Sequence, residues 1–181
     1  MAKFEHVSRQ RTLEAQAMDA KKLFRHKWME LCQGLNGEPF IRGNGDGVCV
    51  VPIDAHGNVL MCIEPAVSTG LPVLGLPAGT VEDGEDASTA GNRELQEEIG
   101  FKAARLDVLT VAHPLARHAE WRVHLLLAQD LSPCQLPGDE AYEIQVETVA
   151  LSAFETLVDD GRLSDSTCIA ALYLARRALQ V

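Results

Sequence analysis

The chain has 181 residues, 46% of them hydrophobic, which suffices for one globular unit with an appendage. Its 26 acidic residues outweigh 16 basic ones, for a net charge of -10, and no lysine and arginine block offers the footprint of a nucleic-acid or anionic-membrane binder. The five cysteines are widely spaced and never form Cys-x-x-Cys. With no apolar run of signal-peptide or membrane-spanning length, they lead us to expect a reduced, cytoplasmic protein rather than a disulfide framework or a zinc site.

In residues 8–32 the apolar Leu13, Ala17, Ala20, Phe24, Trp28 and Leu31 recur at spacings of three and four, predicting an amphipathic helix. The following "QGLNGEPFIRGNGDG" reads as a linker. The expected organisation is a helical arm and linker over residues 1–46 and a compact domain over residues 47–181. "VCVVPI" and "VLMCIEPAV", separated by "DAHGN", predict two antiparallel strands joined by a hairpin turn at Gly57-Asn58. After the loop "STGLPVLGLPAG", residues 86–99 predict a helix ending at Gly100. Residues 106–112 and 121–128 read as strands, the second apolar enough to be central in a sheet. "QDLSPCQLPGDEAYE" is an exposed acidic loop, and residues 144–149 alternate like a half-buried strand. "SDSTCIAALYLARRALQV" closes the chain as a helix with a Ser or Asp cap. Strands interleaved with helices predict a mixed α/β sheet covered on both faces.

The helix of residues 86–99 raises an electrostatic problem. Ala87, Gly91, Leu95 and Ile99 form an inward stripe, so Glu94, Glu97 and Glu98 share the neighbouring side. Like charges at this spacing cost a few tenths of a kcal/mol per pair, roughly, even in water. A divalent cation removes the conflict, and oxygen donors without nearby histidine or cysteine in sequence suit Mg²⁺ or Mn²⁺. A solvated acidic face is the ordinary reading of three clustered glutamates. The surrounding pattern reverses that preference.

Gly79, Glu85, Arg93, Glu94, Leu95, Glu97, Glu98, Gly100 and Phe101 fit, without departure, Gly, five residues, Glu, seven residues, Arg-Glu-apolar-x-Glu-Glu-x-Gly-apolar. This segment resembles the Nudix box, and the chain is identified as a member of the Nudix hydrolases. The resemblance implies a Nudix-type α/β/α sandwich with a mixed β-sheet. It also implies hydrolysis of a nucleoside diphosphate linked to another moiety, by water attack on phosphorus with Mg²⁺ or Mn²⁺ holding the phosphates. By the same resemblance Glu94 and Glu98 are metal ligands, Glu97 is a third ligand or a water-mediated partner, and Glu85 and Arg93 support them. The backbone carbonyl of Gly79 or Ala78 completes the shell.

Outside the box, "LPAG", "GDEAYEIQV" and "GRLSDSTCIAALYLA" are similar to the ADP-ribose and ADP-sugar pyrophosphatase branch. There Glu140 matches the loop glutamate that activates the water or binds another metal, with Glu143 close behind. Pro65 or Ala66 stands where relatives often place a substrate-binding arginine, and Pro114 falls a couple of positions early. The expected reaction is cleavage of ADP-ribose or a related ADP-sugar into AMP and a sugar phosphate. The alternatives are a house-cleaning hydrolase of nucleoside triphosphates or dinucleotides, and a non-catalytic nucleotide-binding module. No nucleic acid or membrane partner is expected. A homodimer is expected to cover the apolar stripe of the N-terminal arm.

Overall fold

In this computed structural model, residues 20–138 and 141–181 are described. Contacts divide the chain into two compact units, Met1–Asn44 with Leu115–Trp121, and Gly45–Pro114 with Arg122–Val181. The described part of the first unit is a four-stranded sheet of order β1-β2-β3-β9, made of β1 (Lys21–Arg25), β2 (Met29–Gln33), β3 (Pro39–Gly43) and β9 (Ala119–Glu120). Within it Glu30 is buried and pairs with Lys22 at 2.6 Å.

This sheet corrects the expected N-terminal helix. Where the prediction overlaps described residues, the chain forms β1 and β2, and residues 8–19 lie outside the described residues. On β2 the burial alternates, with Glu30 and Cys32 inward, and the strand pairs antiparallel with both β1 and β3. Those ladders join segments apart in sequence, and such pairing overrides a three-and-four spacing that was only locally helical. The stretch expected to be a linker supplies β3.

The second unit is organised by strands that are apolar on both faces. Strand β4 (Gly47–Pro52) is buried along its whole length: Cys49 and Val51 enter one apolar cluster, Val48 and Val50 the other. The same division holds in β5 (Asn58–Pro65), with Val59 and Met61 against Leu60 and Cys62. It recurs in β10 (Val123–Pro133), with Leu125 and Leu127 against Leu126 and Ala128. Each such strand needs cover on two sides. Helix α1 (Ala87–Glu98) contributes Ala90 and Leu95 to one cluster, and the helix end adds Ile99. The other cluster takes Leu151, Phe154 and Leu157 from the short turn Leu151–Ala153 and helix α2 (Glu155–Asp159), and Ala171, Leu172 and Ala175 from helix α3 (Ser166–Leu179).

The sheet between them is mixed, as expected. β7 (Ala78–Thr80), β4, β10 and β8 (Phe101–Ala112) lie in that order, with β10 parallel to β4 and antiparallel to β8. A second sheet has the order β11 (Gln145–Ala150), β5, β6 (Pro72–Gly75), all antiparallel. The expected pairing of β4 with β5 is therefore corrected: they belong to different sheets and meet at the single bridge Ile53↔Val59. The turn is present, with Gly57 at φ 81° and the Asp54 side chain accepting from the His56 and Asn58 N–H groups. Beyond the turn each strand finds longer ladders elsewhere, and those outweigh a hairpin.

The ends of α1 and α3 follow their residues. Asp86 accepts from Thr89 N–H at 2.7 Å, and Asp165 accepts from Cys168 N–H at 2.8 Å. Gly100, at φ 74°, takes the left-handed position just past α1. All five cysteines are free. Among the described residues no helix is long and apolar enough to cross a membrane.

Gly91 sets how closely α1 approaches the sheet. A Cβ there would lie 2.5 Å from Leu126 Cδ1 and 3.2 Å from Val50 Cγ2. The helix-propensity gain from alanine is about 1 kcal/mol, against an overpacking cost of about 1–3 kcal/mol. Gly91→Ala is therefore expected to lower the melting temperature by several degrees in thermal denaturation; an unchanged or higher value would show that the helix can withdraw freely.

Candidate active site

Burial of Gly91 and Leu95 against the sheet fixes the rotation of α1, and the acidic side follows from it. Glu94 and Glu98, one turn apart, are both buried, at 6% and 7% exposure. The Glu94 carboxylate lies so close over Gly79 that a Cβ at Gly79 would occupy its space. Glu98 accepts a hydrogen bond from Ala78 N–H at 3.2 Å. Strand β7 thus meets both carboxylates with backbone alone.

Arg93 gathers the remaining acids. Its guanidinium donates to Glu85 at 3.1 Å, to Glu94 Oε1 at 2.8 Å, to Glu97 Oε2 at 3.0 Å and to the Thr80 carbonyl at 2.8 Å. These charge-assisted bonds restrict the rotamers of three carboxylates at once. The contact with Glu85 is the largest cause holding the Arg93 guanidinium above its ordinary pKa and the Glu85 carboxyl below its own. Glu85 also accepts from Glu82 N–H at 3.1 Å, which closes the loop ahead of the helix.

Glu98 is outside this clamp. Burial pushes its carboxyl up to about 9, and the charges of Glu64 and Glu94 add to the effect. Cys62 Sγ donates to Glu98 Oε2 at 3.5 Å, and burial likewise raises the Cys62 thiol. One donor atom each from Cys62, Glu64 and Glu98 lies within 4.8 Å of the others. The pocket is short of positive charge where carboxylates converge. Its residues therefore fit a divalent cation.

The fold brings Glu94, Glu98, Gly79 and Ala78 together, with Glu97 and Glu85 drawn in by Arg93. Glu140 lies outside the described residues. Glu143 is exposed. The sequence reading missed Cys62 and Glu64. Leu60 and Cys62 face the cluster under α1, and the two-residue period of a strand puts Glu64 on the same side, so the signal was present in "VLMCIEP". Tyr142 reaches the same place by donating to Glu64 Oε2 at 3.1 Å.

The model of the NUDIX domain matches residues 43–172. The chain is 33% identical over 138 residues to the ADP compounds hydrolase NudE of Escherichia coli (strain K12), covering 76% of this chain and 73% of that one. It is 29% identical over 156 residues to the ADP-ribose pyrophosphatase of Bacillus subtilis (strain 168), covering 84% of each. Among solved structures, the crystal structure of an ADP compounds hydrolase superposes with a TM-score of 0.76 at 27% identity, over 90% of this chain and 92% of that one.

The state of Glu98 has a measurable consequence. Its ordinary value is 4.5, so between about pH 4.5 and about pH 9 the folded protein holds a proton that the unfolded chain has already released. The contribution to stability is complete below the unfolded value and lost as pH rises through the folded one. In chelator, the melting temperature of the native chain should fall relative to Glu98→Gln between about pH 6 and pH 9. Added Mg²⁺, which favours the ionised carboxylate, should raise it more at the upper end. Parallel pH profiles of the two proteins would contradict this.

Proposed function

The chain belongs to the Nudix family of pyrophosphohydrolases, and from that premise we propose that it cleaves the pyrophosphate bond of ADP-ribose or a related ADP-sugar, releasing AMP and a sugar phosphate. The observation that carries the reading is the buried pair Glu94 and Glu98 set against β7, with Glu94 braced by Arg93. The names of the relatives, an ADP compounds hydrolase and an ADP-ribose pyrophosphatase, support the substrate class.

In this reading Glu94 and Glu98 would hold Mg²⁺ or Mn²⁺, with Glu97 and the carbonyl of Gly79 or Ala78 as further donors. Such an ion would supply the positive charge that offsets the diphosphate and the charge developing on its phosphoryl oxygens. Arg93 holds the Glu94 and Glu97 oxygens in place, whereas Glu98 is held by the Ala78 N–H and the Cys62 thiol. Glu140, assigned from its place in "GDE", takes the proton of the attacking water. The catalytic domain is assigned to residues 47–181, with residues 1–46 as the arm. A second copy of the chain is proposed to cover Phe24 and Trp28 of the first unit, which are 62% and 52% exposed.

A panel of nucleoside diphosphate compounds, with and without Mg²⁺ and with products identified by mass, tests the reaction. AMP and a sugar phosphate are expected from ADP-ribose or an ADP-sugar, and none from Glu98→Gln. Products only from nucleoside triphosphates or dinucleotides would move the chain to the house-cleaning class. Nucleotide binding with no turnover would make it a binding module. Solution mass should show twice the chain mass, falling to one chain mass when Phe24 and Trp28 are both replaced by serine; a monomeric native protein would remove the dimer.

A further inference from the structure

The carboxylates of the box are hard oxygen donors, yet the group nearest Glu98 from the facing strand is a sulfur. Cys62 is 1% exposed, its Sγ is 3.5 Å from Glu98 Oε2, and Glu64 follows it on the same face of β5. Cys62 belongs to the apolar cluster under α1, and its thiol donates to Glu98. Tyr142, donating to one oxygen of Glu64, leaves a carboxylate with a second oxygen to offer.

We propose that Cys62, Glu64 and Glu98 form a binding site for a thiophilic divalent cation, of the Zn²⁺ or Cd²⁺ class, distinct in donor set from the hard-ion set of Glu94, Glu97 and Glu98. The proposal rests on Glu98 belonging to the cation site described above. One sulfur and two carboxylate oxygens match the borderline-soft preference of Zn²⁺, and three protein donors leave a coordination position for water. Donor atoms within 4.8 Å of one another can close around a single ion whose own bonds to sulfur and oxygen are about 2.0–2.3 Å. Binding balances as the cation entering, the Cys62 S–H bond breaking and the proton leaving to solvent. No oxidant or reductant is required. Because Glu98 belongs to both sets, a thiophilic cation competes with Mg²⁺, and a cysteine in this position makes the protein sensitive to zinc.

The test uses the full metal-free chain and reads a metal–sulfur bond, so it succeeds or fails whether or not any substrate is hydrolysed. Titration with Cd²⁺ should produce an ultraviolet thiolate-to-metal charge-transfer band that persists in Cys134→Ser, the exposed cysteine, and is lost in Cys62→Ser. Glu64→Gln should weaken Cd²⁺ binding at least about tenfold. X-ray absorption of the native protein with one equivalent of Zn²⁺ should show sulfur at about 2.3 Å, a measurement that needs no variant to fold. An oxygen and nitrogen shell alone, a band that survives Cys62→Ser, or unaltered binding in Glu64→Gln would overturn the site.

Discussion

Two carboxylates buried one helical turn apart are the constraint on which the second unit depends. Glu94 and Glu98 cannot both be ionised in a space of low polarity without compensation, and the chain compensates them differently. Glu94 receives a guanidinium bond from Arg93, while Glu98 receives a backbone N–H and a thiol. The asymmetry leaves one acid braced by a guanidinium and the other with its carboxyl held above its ordinary pKa. Beyond Arg93, the charge such a site calls for is that of a divalent cation, in a chain whose own net charge is -10.

Holding that arrangement requires a rigid floor. Gly91 brings α1 against Val50 and Leu126, and Gly79 lets β7 pass beneath the Glu94 carboxylate. These two glycines act through the absence of a side chain, at contacts that a Cβ would crowd. The strands below are apolar on both faces, so α1 covers one side, and α2 and α3 the other. Site and core thus share the same elements.

The box was legible because its residues lie on one helix and the loop entering it, where spacing translates directly into position. Asp86, Gly100 and the stripe of Gly91 and Leu95 all took the places that local geometry assigns. Phe24, Trp28 and Leu31 misled, because their spacing is equally compatible with two strands once β3 is present to pair with. Likewise Gly57 marked a turn correctly without revealing that β4 and β5 part into different sheets.

By itself the sequence determined the chemistry of α1: which acids face together, which arginine stands beside them and where the helix starts and stops, since these depend on contacts within a few residues. Tertiary structure alone decided that Cys62 and Glu64 meet Glu98, that Gly79 yields to Glu94, and that residues 21–33 form two strands of a sheet. Those outcomes depend on partners far apart along the chain, and a strand's periodicity says which way a side chain points but not what it will find there.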